Sequence, residues 1–223
     1  MSEADLAGWL ERALGHAPRD LAPFRTALTH SSHAGESYQR LEFLGDRVLG
    51  LVMGEWLFAL FPDEPEGNLS RRLNALVSGE TCAEIAREIG VGPHLRLGKQ
   101  ARDDGAQFST YVLGDAVESL IGALFLEAGL EGARAFVRRA WGDRVHAQAR
   151  APKHPKAELQ ELAAAKQWRP PVYTIAHRGG PHHAPTFTVT VEIPGRVSAE
   201  GKGSSKQEAE TEAARALLEE LKT

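Results

Sequence analysis

The sequence predicts two domains of different class: an all-α domain over residues 1–146 and, past a linker at 147–155, a small α+β domain of αβββα order over 156–223. Three observations predict it. Apolar residues recur at helical spacing through the first part of the chain. That period lapses between 147 and 155, where Pro152 and Pro155 fall. Beyond the gap, period-two alternation sets in at 172–176 and 186–193, the mark of half-buried strands. A chain of 223 residues has room for one medium and one small core.

Taken in order, Leu6, Trp9, Leu10 and Leu14 share one helical face, and Gly15 ends that helix. A short helix at 20–28 and the polar loop Thr29-His30-Ser31-Ser32-His33 follow, with His30 read as a satisfied structural histidine. From 38 to 60 the apolar positions keep helical spacing until Pro62 stops them, with Trp56, Phe58 and Phe61 filling the far end. Gly45, Gly50 and Gly54 lie inside this helix, where each costs about 1 kcal/mol relative to Ala. The cost makes sense where another helix, or a second subunit, approaches closely. Residues 62–69 form an acidic turn. Helices at 70–77, capped by Ser70 or Asn68, and at 80–89, closed by Gly90, come next. A glycine-punctuated connection at 91–110 carries Lys99 and Arg102, a helix then runs to about Glu127, and 130–141 supplies another with Phe136 and Val137 inward. In the second domain a helix at 156–166 precedes strands at 172–176, 186–193 and about 196–201, and an Ala-rich helix fills 205–221.

Composition narrows the class. With 42% hydrophobic and 25% charged residues the chain reads as an ordinary soluble protein. The lone Cys82 excludes an intramolecular disulfide and a cysteine-rich metal site, and suits a reducing cytoplasm. The acidic start, Met1-Ser2-Glu3-Ala4-Asp5, shows no signal or transit peptide, and the apolar run at 48–54 is far too short to span a bilayer. Net charge is −4, which by itself argues against a nucleic-acid partner. Residues 153–223 carry 10 Lys+Arg against 9 Asp+Glu, or +1, which leaves 16 against 21, or −5, on residues 1–152. Any affinity for a polyanion must therefore come from local clusters of base and from metal ions.

The chain is organised around two acidic stretches. In Leu41-Glu42-Phe43-Leu44-Gly45-Asp46 two carboxylates four residues apart interrupt an apolar helix, and that spacing puts both on one face. In Gly114-Asp115-Ala116-Val117-Glu118-Ser119 two acids three apart interrupt another. If the two faces meet, Glu42, Asp46, Asp115 and Glu118 converge. Like charges held that close need cations, and oxygen-only ligands suit hard ions such as Mg²⁺ or Mn²⁺. The structural alternative pairs these acids with Arg40, Arg47 or Arg71.

The run Gln39-Arg40-Leu41-Glu42-Phe43-Leu44-Gly45-Asp46 resembles the signature of the ribonuclease III family, and Gly114-Asp115-Ala116-Val117-Glu118-Ser119 resembles its second acidic helix. The C-terminal segment is similar to a double-stranded-RNA-binding domain. The resemblance implies a ribonuclease III-like helical endonuclease domain that hydrolyses double-stranded RNA with Mg²⁺, Mn²⁺ being able to substitute. It leaves 5′-phosphate and 3′-hydroxyl ends with a short 3′ overhang, and ribosomal RNA precursors and some messenger RNAs are the expected substrates. Glu42, Asp46, Asp115 and Glu118 would be the metal ligands, with Asp46 and Glu118 the most critical. Glu66 matches a further acidic position near the metal, and Gln39 stands where the family usually carries another acid. Phe43 would enter the partner subunit of a symmetric homodimer. Segment 95–99 resembles a family stretch, so Lys99 and Arg102 could hold phosphates, or lie in a solvated loop.

Shape reading of A-form RNA goes through 2′-hydroxyls and phosphates. In the second domain, Glu158 and Gln160 would face one minor groove and the loop with His182 and His183 another. Lys202, Ser204, Ser205 and Lys206 would meet phosphates at a helix N-terminus. Gln207, Glu208 and Glu210 stand where such domains usually carry basic residues, which implies weaker phosphate binding. Two rivals remain: a non-catalytic RNA-binding relative, which would usually have lost one of the four acids, and a metal hydrolase of another phosphoester, which the second domain disfavours.

Overall fold

The computed structural model describes residues 2–148, 151–152, 154–179 and 185–222; His182 and His183 lie outside the described residues. The chain forms two compact units, Met1–Pro152 and Lys153–Thr223.

The first unit is helical: α1 Glu3–Leu14, α2 Ala22–Ala27, α3 Gln39–Leu60, α4 Glu66–Leu76, α5 Gly79–Glu88, α6 Lys99–Asp103 and α7 Thr110–Ala147. α1 opens with a capping box, in which Ser2 accepts from the Asp5 amide and Asp5 from the Ser2 amide. It ends on Gly15 in the left-handed region (φ 69°) that glycine adopts without strain. α7 kinks at Gly129, whose backbone is non-helical (φ 68°, ψ −172°) and separates the two helices expected there.

α4 begins four residues before the sequence suggests. Pro65 starts it, so Asn68 and Ser70 lie inside the helix and not at its cap. Ser70 Oγ instead donates to Glu66 Oε1 at 2.7 Å. The connection at 91–110 is also more ordered than its glycines imply, holding α6 and two short 3₁₀ turns, Gly92–His94 and Ala106–Phe108.

The core lies between α3, α5 and α7, with Leu49, Met53, Ile85, Leu120, Phe136 and Trp141 fully buried. Arg72 is buried as well. It is neutralised by both carboxylate oxygens of Glu64 (2.8 and 2.7 Å), stacks 3.7 Å from the Phe61 ring centroid and donates to the Gln148 carbonyl at 2.5 Å. A buried charge so fully paired ties α4 to the end of α7.

The second unit comprises α8 Pro155–Ala165, β1 Val172–Gly179, β2 Thr186–Ile193, β3 Val197–Gly203 and α9 Lys206–Lys222. The strands form an antiparallel sheet in the order β1-β2-β3. Alternation turns Val189, Val191 and Ile193 into a core with Leu159, Ala209, Ala213 and Leu217 of the two helices. Close packing there requires Gly201, because a Cβ on it would overlap the backbone of Ala213. Among the described residues no helix is long and apolar enough to cross a membrane.

Candidate metal centre

The two acidic stretches meet because two glycines let α3 and α7 touch backbone to backbone. A Cβ on Gly45 would overlap the carbonyl oxygen of Glu118, and one on Gly122 would overlap that of Leu41. Gly50 and Gly54 are different: an added Cβ meets nothing within 4 Å, so packing inside the unit accounts for Gly45 alone of the three.

At this crossing Glu42, Asp115 and Glu118, all half-buried, each offer a carboxylate oxygen, and the three oxygens lie within 4.8 Å of one another. Asp46, one turn on from Glu42, forms an ion pair with its neighbour Arg47 and stands outside this trio. Among the described residues Arg47 is thus an ion-pair partner of one of the four acids, while Arg71 donates to Asn68 Oδ1. The Asp46 charge still bears on the site. Burial first, then the charges of Asp46, Asp115 and Glu42, push the Glu118 carboxyl up to about 7, against a small opposing effect of the Cys82 thiol. Burial and the charges of Asp115 and Asp46 raise the Glu42 carboxyl as well. Carboxylates that resist ionising beside one another gain most from a bound cation, and an all-oxygen donor set fits a hard divalent ion.

Two side chains outside the acidic stretches also border the site. Tyr38 Oη donates to Asp115 Oδ2 at 3.0 Å, and Cys82 Sγ lies 3.8 Å from Glu118 Oε1. Burial, followed by the Asp115 charge, raises the Tyr38 phenol well above its ordinary range; burial and the Glu118 charge do the same to Cys82. Tyr38 stands four residues before Glu42, so helical spacing could have placed it on the same face. Nothing in the sequence pointed to Cys82, since its contact comes through α5. Ser119 Oγ donates to the Ala27 carbonyl at 2.6 Å and fixes α7 against α2.

Of the remaining candidates, Gln39 opens α3 as an exposed side chain that accepts from Ser37 Oγ at 3.3 Å. Glu66 is exposed in the first turn of α4 and is not among the clustered acids. Phe43 is 66% exposed. Lys99 and Arg102 are exposed on α6. In the second unit Gln160, Lys202, Ser205 and Lys206 are exposed and Glu158 half-buried.

The α9 terminus differs from a bare anion site. Ser205 Oγ accepts from the Glu208 amide at 3.1 Å, while the Glu208 carboxylate accepts from Ser204 N and Oγ at 2.7 and 2.6 Å. Those hydrogen bonds lower the Glu208 carboxyl. Glu210 is likewise engaged, 2.5 Å from Lys156 Nζ and 3.6 Å from Lys206 Nζ, and these contacts hold its carboxyl below the usual range.

A helical unit with an acidic crossing suited to a divalent ion, followed by a separate αβββα unit, defines a class at the level of its chemistry: a metal-dependent hydrolase site with a second small module after it in the chain. Residues 22–143 match the family described as Ribonuclease-III-like, and residues 155–221 match the double-stranded RNA binding motif. The chain belongs to the ribonuclease III family. It is 58% identical to Ribonuclease 3 of Zymomonas mobilis over 99% of this chain and 90% of that protein, and 47% identical to Ribonuclease 3 of Azorhizobium caulinodans over 98% and 95%. Its fold is similar to that of the nuclease domain of ribonuclease III from Campylobacter jejuni, with a TM-score of 0.59 and 38% identity over 60% of this chain and 95% of that one.

Proposed function

We propose that this chain is an endoribonuclease that hydrolyses phosphodiester bonds of double-stranded RNA with Mg²⁺, or Mn²⁺ in its place, leaving 5′-phosphate and 3′-hydroxyl ends. The observation that carries the reading is the convergence of Glu42, Asp115 and Glu118 in a chain whose second unit matches a double-stranded RNA binding motif. A divalent ion supplies a bound water of lowered pKa and stabilises charge on the attacking and leaving oxygens. The protein's part is to hold the ligands. Glu42, Asp115 and Glu118 would bind the ion directly, and Asp46 would join them by turning from Arg47. Glu66 and Gln39 would serve at the margin of the site. Burial makes each charge at the crossing count for more than in water.

In the second unit Glu158, Gln160, Lys202, Ser205 and Lys206 would follow the duplex by its hydroxyls and phosphates. The region involved in dimer formation of the Campylobacter nuclease domain supports a homodimer here too. Phe43, Leu51 and Phe58 lie on one face of α3, 66%, 60% and 75% exposed, with Gly50 and Gly54 between them leaving room for close approach. Two equivalent sites related by a two-fold axis could cut both strands of one duplex. Ribosomal RNA precursors and some messenger RNAs are the proposed substrates, and the buried Cys82 suits the proposed cytoplasmic setting.

The test is to incubate long duplex RNA with the protein, with and without Mg²⁺. Ladder-like cleavage only with the metal supports the nuclease, whereas binding without cleavage at any metal concentration rejects it.

A further inference from the structure

Tyr38 joins the start of α3, which carries Glu42, to Asp115 on α7. Its amide donates to the Thr29 carbonyl at 2.9 Å, and its carbonyl accepts from the amides of Leu41 and Glu42 at 2.8 and 2.9 Å, so it is the residue on which α3 starts. The Thr29 segment is itself braced, through His30 N to the Arg96 carbonyl at 3.0 Å and Arg96 N to the Leu28 carbonyl at 2.8 Å. The Tyr38 ring is buried, with His30 edge-on at 5.7 Å between centroids. From this fixed base the hydroxyl crosses to α7 and donates to Asp115 Oδ2 at 3.0 Å. One turn of α3 therefore sets both Glu42, through the backbone, and Asp115, through the phenol.

We propose that Tyr38 is a positioning residue of the metal site: its hydroxyl holds the Asp115 carboxylate in the orientation that converges with Glu42 and Glu118. This rests on the metal-site reading above and adds a role for a residue outside the acids. The chemistry of the donor matters. A hydroxyl gives a carboxylate one hydrogen bond and leaves its other lone pairs for a cation. A lysine or arginine in the same place would orient Asp115 equally well, but its charge would compete with the ion. Outer partners of this kind tune metal affinity by about 10–100-fold where they have been removed.

The experiment uses the full chain and Tyr38→Phe, which keeps the ring and deletes the hydroxyl. Mn²⁺ affinity is measured by electron paramagnetic resonance titration, with thermal unfolding and duplex-RNA binding followed in EDTA. The expected result is about tenfold weaker Mn²⁺ binding. The Mg²⁺ concentration for half-maximal cleavage rises by a similar factor, and kcat at saturating Mg²⁺ stays within a few-fold of wild type. Unfolding in EDTA stays within a few degrees of wild type and RNA binding is unchanged. Mn²⁺ affinity within twofold of wild type overturns the proposal while leaving the metal site intact. A marked drop in unfolding temperature in EDTA also overturns it, because the hydroxyl then serves packing. Wild type that binds no Mn²⁺ overturns the metal-site reading itself, and this proposal with it.

Discussion

Replacing Glu118 with Gln keeps the side chain's shape and removes its charge, and the outcome has opposite signs with and without metal. Without metal, burial and the neighbouring Asp46, Asp115 and Glu42 charges push the Glu118 carboxyl up to about 7, from an ordinary value of 4.5. Between those values the folded state holds a proton that the unfolded chain has released. The stabilisation is therefore complete below the unfolded pKa and is lost as pH rises through the folded one. The gap corresponds to about 3 kcal/mol, and solvent access to a half-buried group cuts this to about 1–2 kcal/mol. In EDTA at pH 8, where wild type must carry the crowded charge, E118Q should unfold a few degrees above it. At pH 4.5 the difference should vanish. Saturating Mg²⁺ should reverse the order, because wild type gains binding energy that the amide cannot. The assay is thermal unfolding in EDTA from pH 4.5 to 8, repeated with Mg²⁺, beside cleavage and binding of a labelled duplex. Cleavage should fall by orders of magnitude while binding persists. A variant no more stable than wild type in EDTA at pH 8, or one that cuts at the native rate, would refute the crowded-charge account of the site.

Three further outcomes follow from the packing and the exposed face of α3, with Gly142 of α7 as the control. Gly45→Ala should destabilise by about 1–3 kcal/mol although Ala is the better helix former, because its Cβ would strike the Glu118 carbonyl; Gly142→Ala, with nothing within 4 Å, should be neutral or slightly stabilising by chemical denaturation. Phe43→Asp should convert a dimer to a folded monomer in sedimentation velocity with its helical circular dichroism unchanged. A dimer that survives this charge at its proposed centre would place the interface elsewhere.

Why some of this was legible in the sequence and some was not follows from the range of each signal. The αβββα order could be read because alternation in 186–193 and the Ala-rich spacing of 205–221 are local patterns. The acids could be read because polar groups stand out in an apolar run. Gly45 announced a close approach, but only the fold says that Gly45 meets Glu118 while Gly50 and Gly54 face open space. The start of α4 was misplaced because Ser70 and Asn68 are good caps in isolation, whereas Pro65 opens the helix a turn earlier and turns Ser70 toward Glu66. Tyr38 was passed over as a helix start, since its partner Asp115 lies 77 positions away in the chain. Likewise Glu208 and Glu210 read as repulsive acids by sequence, yet one completes a helix cap and the other is shared between two lysines.

Those pairings change how the protein can attract a polyanion. Lys156 and Lys206 both lean on Glu210, so the small unit presents less free positive charge than its count of bases suggests. The helical unit is worse placed, carrying −5 over residues 1–152 and concentrating carboxylates at the crossing of α3 and α7. A phosphate approaching that crossing meets like charge unless cations are present, and cations held there are better retained once a phosphate shares them. By thermodynamic linkage, whatever factor RNA adds to metal affinity at the acids, metal adds to RNA affinity at the same place. Binding through the small unit, whose proposed contacts lie far in sequence from the clustered acids and include Gln160, Lys202, Ser205 and Lys206, would involve no such exchange. Duplex affinity of the whole chain should therefore have a metal-independent part and a part that rises with Mg²⁺. The second part alone should disappear when the acids at the crossing are made neutral.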